Sequence, residues 1–288
     1  MKPDWTLLSP LLVHIQANLD GDLSLAALSR VAGLSQFSLQ RLFKATIGET
    51  PKAYTLRLRL ERAAFRLRIH QSTILRVALQ CGFQNHETFI RAFRRRFGCS
   101  PREYRATGRN DSAAAAEGTR VPAPEAAPAY ALSATRVVQL RPLHLAYRRH
   151  VGPYQSVPDS LFAELSRWAQ RRRLPGPRVW LGLGHDAPGT TRPEQLRFDA
   201  ALVVPGPFAP ENGIGYQLLP AGPFAVTTHA GSYATLGEAY ATILPRATAL
   251  RSYELVGLPA VEIYHTANVT AHYELNHTDL CLPLAPKR

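Results

Sequence analysis

The sequence predicts two domains of different class. An all-α domain built from two helix-turn-helix units comes first, and an α+β domain of two pseudo-symmetric strand–helix–strand repeats follows. Three observations predict it. FKATIGETPKAY at 43–54 returns as FRRRFGCSPREY at 93–104, with Phe43/Phe93, Gly48/Gly98, Pro51/Pro101 and Tyr54/Tyr104 in register. AYRRHVGPYQSV at 146–157 returns as AVTTHAGSYATL at 225–236, repeating His-x-Gly-x-Tyr. Between the two duplications, residues 107–133 are rich in Ala, Pro and small polar residues and lack a periodic apolar face, which reads as a flexible linker. The expected domains are therefore 1–106 and 134–288.

In the first domain, Leu25, Leu28 and Val31 have helical spacing and Gly33 breaks the run. Ser35 is placed to cap a second helix with Leu39, Leu42 and Phe43 on its apolar side. The second unit follows the same plan. Ile74, Val77, Ala78 and Cys81 build one helix, Gly82 the turn, and Phe89, Ala92 and Phe93 the other, with Asn85 as cap. Thr50–Pro51 and Ser100–Pro101 each place a capping hydroxyl before a proline suited to a first helical turn. After Pro51, one stripe of Ala53, Leu56, Leu60, Ala63 and Leu67 predicts a long helix between the units. Its seventeen residues span roughly 25 Å, comparable with the ~34 Å turn of B-DNA.

Charge supports a polyanion partner. The chain carries a formal +13, and residues 1–106 hold 17 basic against 7 acidic side chains, whereas 134–288 hold 15 against 11. No apolar run reaches the ~18 residues of a membrane helix, so no membrane partner is expected. MKPDWTLLSP lacks a signal-like apolar stretch. Cys81, Cys99 and Cys281 are odd in number and widely separated, consistent with a reducing cytoplasm.

In the second domain, LHLAYRRHV, FDAALVVP, FAVTTHA, AVEIYH and TDLCLPL read as strands, and 156–173 and 235–249 as helices. Alternation along Leu258–Tyr264 puts Val261 and Ile263 on one face and Glu262 and Tyr264 on the other. A carboxylate beside an aromatic ring suits an organic cation, although a half-exposed strand with a solvated Glu262 fits the same pattern. The related strand VWLGLG has no acid, so the duplication is broken there. Tyr147, Tyr154, Trp180 and Tyr233 are candidate walls of the cleft or ordinary core. His265, His272, His277 and Cys281 cluster in sequence at spacings that fit no usual zinc pattern, so no metal or other cofactor is expected.

The run CGFQNHETFIRAFRRRFGCSPREY resembles the signature of the AraC/XylS transcription regulators, over about residues 8–106. That resemblance implies binding of double-stranded DNA in two adjacent major grooves. It assigns base reading to Gln36, Phe37, Gln40 and Arg41 on the first reading helix and to Asn85, His86, Glu87, Thr88 and Arg91 on the second. Arg, Gln, Glu and Phe or Thr suit guanine, adenine, cytosine and a thymine methyl respectively. Lys44, Arg94, Arg95 and Arg96 suit phosphate. The region 134–286 resembles the GyrI-like effector-binding domain through its paired H-x-G-x-Y segments, LPAGPFAVTTHAG, PAVEIY and TDLCLPL. This second resemblance implies a cleft for hydrophobic small molecules, cations included, with Glu262 and Tyr264 at its centre. The combined expectation is a cytoplasmic, nucleoid-associated regulator that is not an enzyme, answers to a small-molecule effector, and has RNA polymerase as a further partner. The alternatives are a small-molecule hydrolase or a protein-binding module in the second domain.

Overall fold

A computed structural model describes residues 5–107, 130–257, 259–265 and 276–287, which form two compact units. Residues 5–107 of the first are helical with short connections: α1 Trp5–Ala17, α2 Leu25–Ala32, α3 Gln36–Ile47, α4 Pro51–Ile69, α5 Ile74–Gln80, α6 His86–Phe97 and α7 over residues 101–107.

The duplicated twelve residues are one construction used twice. Gly48 and Gly98 cap α3 and α6 in the left-handed conformation. Thr50 Oγ1 accepts from Ala53 N at 3.2 Å to start α4. Ser100 Oγ accepts from Glu103 N at 3.2 Å while Glu103 accepts from Ser100 N at 2.7 Å, a reciprocal box that starts α7. Pro51 occupies the first turn of α4. Each motif then folds its tyrosine back on its phenylalanine: Phe43–Tyr54 and Phe93–Tyr104 are both edge-to-face pairs with centroids 5.4 Å apart. Such pairs contribute about 0.5–1.5 kcal/mol beyond area burial.

Two separate cores result. Leu8, Leu11, Leu12 and Ile15 of α1 pack with Leu28, Leu39 and Phe43, whereas Val77, Ala78, Cys81, Phe89 and Phe93 form the second core. Helix α4 serves both, and this corrects the single stripe expected for it. Its first half buries Tyr54 and Leu58 in the first core, and its second half buries Leu60, Ala63, Ala64 and Leu67 in the other. Leu58 and Leu60 lie about 200° apart around the helix, so the buried side changes midway and Ala53 is left exposed. Val31, expected on the inner face of α2, is 48% exposed; Ala27 and Leu28 do the packing.

The linker expected over 107–133 lies outside the described residues at 108–129. Its two ends are structured: residue 107 closes α7, and Tyr130–Leu132 is strand β1. Pairing of Tyr130–Leu132 with the strand ending at Gly231 overrides the small-residue composition.

The second unit holds β1, β2 Arg136–Leu140, β3 Leu143–Val151, α8 Ser160–Arg171, β4 Trp180–Gly184, β5 Arg197–Val204, β6 Gly215–Leu219, β7 Gly222–Gly231, α9 Leu236–Thr248, β8 Tyr253–Leu255, β9 Ala260–Tyr264 and β10 His277–Pro286. The strands run β1-β7-β10-β9-β4-β5-β3-β6 in one sheet, with β2 also on β7 and β8 also on β10. Each repeat is thus strand–helix–strand–strand, one strand longer than expected: β3-α8-β4-β5 and β7-α9-β9-β10. The repeats also exchange their leading strands, since β2 pairs with β7 of the second repeat and β6 lies on β3 of the first.

The two halves join where β4 pairs antiparallel with β9, Gly182 opposite Glu262. Gly182 and Glu262 are themselves equivalent positions of the duplication, eighty residues apart. The pseudo-twofold axis therefore passes through that pair. Helices α8 and α9 both cover the sheet face that carries Glu262: Arg148 of β3 pairs with Glu164 of α8 at 2.6 Å, and Tyr240 of α9 donates to Glu262.

Candidate functional site

In the first unit the two cores fix the outward faces of α3 and α6. Leu39 and Phe43 point inward from α3, Phe89 and Phe93 from α6. The residues between them, Gln36, Phe37, Gln40, Arg41 and Lys44 on α3, and His86, Glu87, Thr88, Arg91, Arg94 and Arg95 on α6, are all exposed. Phe37 is 76% exposed, which excludes a core role. Asn85 is exposed as well, but its side-chain oxygen caps α6 by accepting from Glu87 N and Thr88 N at 2.8 and 3.2 Å. Only its amide N–H groups are left for a base. Both helices border one open groove of about 1400 Å³, to which Gln40 contributes from α3, Asn85 from the cap of α6, and Thr88, Arg91 and Arg95 from α6 itself.

Arg96 departs from the phosphate role expected of it. Its guanidinium pairs with Glu61 at 3.0 Å, and Glu61 is 5% exposed and also pairs with Arg57. Arg96 is three residues from Phe93 on a helix whose inner face is aromatic, so it turns inward and ties α6 to α4.

In the second unit the site is built on the pseudo-dyad. Glu262 accepts from Tyr264 Oη at 2.5 Å and from Tyr240 Oη at 3.3 Å. Among the described residues no Lys, Arg or His forms an ion pair with it. Burial pushes its carboxyl above the ordinary carboxylate value, and the two tyrosine hydrogen bonds offset only part of that. Tyr264 and Tyr240 are raised far above the ordinary phenol by burial and by the neighbouring carboxylate, so both remain donors. Tyr233 is raised for the same two reasons, burial leading.

A chain of rings runs from the tyrosine that binds this carboxylate. Tyr264 meets Tyr233 edge-on at 5.4 Å and Phe162 at 5.8 Å, and Phe162 meets Trp180 at 6.0 Å. Gly182 explains why the duplication is broken here. A Cβ at that position would collide with Tyr264 Oη and lie 2.6 Å from Phe198 Cζ. A side chain on the first strand would thus expel the hydroxyl that binds Glu262, and a second acid would set like charges face to face on the axis.

Of the expected walls, Trp180 and Tyr233 lie in this ring cluster. Tyr154 stands at its edge, its ring 6.2 Å from that of Phe198, and its hydroxyl donates to Asp186 O at 2.7 Å. Tyr147 does not belong. It shares a cross-strand row with Ala201, Leu181 and Ile263, the face opposite Glu262, where Arg149 lies over its ring at 5.4 Å. The repeat motif drew attention to Tyr147 without its strand parity. Tyr240 and Phe162 are members of this cluster that the sequence reading missed. Each sits beside a core position of its helix, Ala239 and Leu161, and helical periodicity alone could have found them.

The opposite face carries a second buried constellation. Asp199, fully buried, accepts from Arg149 Nε and Nη2 at 2.7 Å each, from His185 Nε2 at 2.7 Å and from Gln217 Nε2 at 3.0 Å. Its dyad mate Asp279 bonds Thr228 at 2.5 Å, His265 at 3.1 Å and Arg136 at 3.3 Å, nearer to solvent. His265 is thus a hydrogen-bond partner of Asp279, and His272 lies outside the described residues. Among the described residues no three His, Cys, Asp or Glu side chains gather as a metal site, and no helix is long and apolar enough to cross a membrane.

Comparison with known proteins gives two family matches: a helix-turn-helix domain over residues 28–107 and a GyrI-like small-molecule-binding domain over residues 133–285. The right origin-binding protein of Escherichia coli K12 is 38% identical over 99 residues, which are 34% of this chain and 34% of that protein. The probable transcriptional regulator LumQ of Photobacterium leiognathi is 41% identical over 91 residues, 32% of this chain and 37% of that one. The match thus spans about a third of the length of these relatives. A solved transcriptional regulator of Chromobacterium violaceum with an AraC-type DNA-binding domain is 34% identical, covering 35% of this chain and 91% of that one, at a TM-score of 0.34. The structure of EcmrR in its DNA complex covers 90% of this chain and 98% of that one at 16% identity and a TM-score of 0.45.

Proposed function

We infer that this chain, which belongs to the GyrI-like small-molecule-binding family and carries an AraC-type helix-turn-helix domain before that match, is a transcription regulator controlled by a hydrophobic organic cation. Helices α3 and α6 enter two adjacent major grooves of a promoter. Gln36, Phe37, Gln40 and Arg41 read one, and His86, Glu87, Thr88, Arg91 and the Asn85 amide the other. Lys44, Arg94 and Arg95 hold phosphate. The effector sits over Glu262 within the ring of Tyr264, Tyr233 and Trp180, with Tyr154 at the rim. The observation that carries this reading is Glu262 itself, an ionisable group beside a cluster of aromatic rings, with neutral hydroxyls as its described partners. A bound cation supplies the missing counter-charge, through Coulomb attraction and ring contacts.

Effector binding changes transcription only if the cation prefers one of two states of the promoter complex, and RNA polymerase is the natural partner to feel that change. The chain acts as a binder in the cytoplasm, at the nucleoid, and not as an enzyme.

DNA binding is testable residue by residue. Arg41→Ala and Arg91→Ala should each cost about 1–3 kcal/mol on the preferred operator and flatten discrimination at one base position. Arg95→Ala should weaken all sequences alike and lower the salt slope by about one unit. Selected operators and competition binding at two salt concentrations provide the measurement. Full sequence preference in both Arg41→Ala and Arg91→Ala would refute the base-reading assignment.

A further inference from the structure

Beside the Glu262 cleft lie three buried polar side chains that the reading above does not use. His229 and Thr278 are fully buried and Asn276 is 3% exposed. His229 Nδ1, Asn276 Nδ2 and Thr278 Oγ1 have no hydrogen-bond partner among the described residues. They belong together: Thr278 pairs across strands with His229 on one side and with Tyr264 on the other, and Asn276 O accepts from Gly231 N at 3.0 Å. The row His229–Thr278–Tyr264 therefore leads along one sheet face to the hydroxyl that binds Glu262.

The hydrogen-bonding sense of two of these atoms follows from their surroundings and chemistry. Thr235 Oγ1 donates to Ser232 O at 2.7 Å, so it accepts from His229 Nε2 at 2.8 Å. The proton of the neutral ring is then on Nε2, and Nδ1 is a bare acceptor. Burial lowers the His229 pKa and keeps the ring neutral. Asn276 Nδ2 is a donor without an acceptor, and Thr278 Oγ1 can serve either way.

The fold does not require this polarity. At the dyad-related positions of the first repeat, Leu196 stands for Asn276 and Phe198 for Thr278, both buried. Buried polar atoms without partners cost about 1–3 kcal/mol each, so an apolar pair would be the more stable choice in the second repeat as well.

We propose that His229, Asn276 and Thr278 form a polar subsite that receives a group able to donate and accept at once, a primary carboxamide in the first instance, carried by the cationic effector. Its N–H donates to His229 Nδ1 and its oxygen accepts from Asn276 Nδ2 or Thr278 Oγ1. The subsite rests on the Glu262 reading and adds selectivity to it: the carboxylate recognises charge, and the subsite recognises the substituent. Tyr130 stacks on His229 at 5.2 Å from β1, the strand by which the chain enters this unit, and so closes the subsite from that side.

Titration of the full-length chain with 1-benzylpyridinium and with 1-benzyl-3-carbamoylpyridinium tests this. The carbamoyl cation should bind about tenfold more tightly to the unmodified chain. Asn276→Leu, which copies the first repeat, and Thr278→Val, which keeps the side-chain shape, should each bring that ratio toward one without weakening the parent cation. Glu262→Gln should weaken both cations and preserve the ratio. Equal binding of the two cations, or a ratio unmoved by both variants, overturns the subsite while a Glu262 effect keeps the charge reading intact. Binding that is absent, or indifferent to Glu262→Gln, overturns the charge reading and the subsite with it.

Discussion

Asp199→Ala should destabilise the second unit by about 3–5 kcal/mol, enough to unfold much of the population at physiological temperature. The cost comes from what is left behind. Arg149 is 3% exposed at its side chain and His185 6%, and both bond the Asp199 carboxylate. Without it the guanidinium is a buried charge facing the ring that competes with it. Burial alone would push the Asp199 carboxyl up, but the Arg149 guanidinium, His185 and their hydrogen bonds pull it far below the usual range. A carboxyl lowered in this way contributes stability above its ordinary value near 3.8, and that contribution is lost as pH falls from there toward the folded pKa. The duplication supplies the control. Asp279→Ala removes the equivalent carboxylate, but Arg136 and His265 are about half exposed and water can replace it, so its cost should stay near 1 kcal/mol. Urea unfolding followed by the fluorescence of Trp168 and Trp180 measures both. Equal costs for the two aspartates would contradict the account of the buried pair.

Gly82→Ala should cost the first unit about 2–4 kcal/mol, against about 1 kcal/mol for Gly33→Ala at the same place in the other helix-turn-helix. Both glycines are left-handed, at φ 80° and 63°, and share the strain of a Cβ there. They differ in surroundings. A Cβ on Gly33 meets nothing within 4 Å, whereas one on Gly82 would strike Leu19 O and lie 2.7 Å from Arg59 Nε. Arg59 reaches from α4 to donate to Leu19 O and Gly21 O at 2.7 Å each, so the turn of the second helix-turn-helix is seated on the loop between α1 and α2. Forcing a methyl into that contact breaks a part-buried bond as well as straining the turn. Thermal melting resolves the difference, and operator affinity should fall with it because Gly82 sets the position of α6. Equal destabilisation by the two substitutions would show that the seat carries no energy.

Most of this architecture was written in local patterns. The twelve-residue repeat encodes a left-handed cap, a hydroxyl cap, a proline and a ring pair, all short-range devices that sequence spacing displays. Strand parity likewise placed Glu262 beside Tyr264 without any tertiary information. What escaped depended on long-range pairing. Tyr147 shares a motif with Tyr154, yet only the register of β3 against β5 shows that it faces away from the cleft. Arg96 looks like its basic neighbours until Glu61, 35 residues earlier, is brought against it. The Gly182–Glu262 pair becomes meaningful only when β4 and β9 are adjacent, because an axis between repeats is a property of their packing.

The most direct test of the central claim is calorimetric titration of tetraphenylphosphonium into the full-length chain and its Glu262→Gln variant between pH 5 and pH 8. Burial raises the Glu262 carboxyl above the ordinary carboxylate value, so its charge is lost, as pH falls, earlier than that of an exposed carboxylate. Affinity of the unmodified chain should therefore rise with pH, and the variant should lose about tenfold at pH 8 together with the slope. The ligand-free variant should be at least as stable as the unmodified chain at neutral pH. A raised carboxyl contributes stability below its ordinary value and loses it as pH climbs through the folded pKa. Affinity that is flat with pH and equal in the two proteins would contradict cation recognition by Glu262.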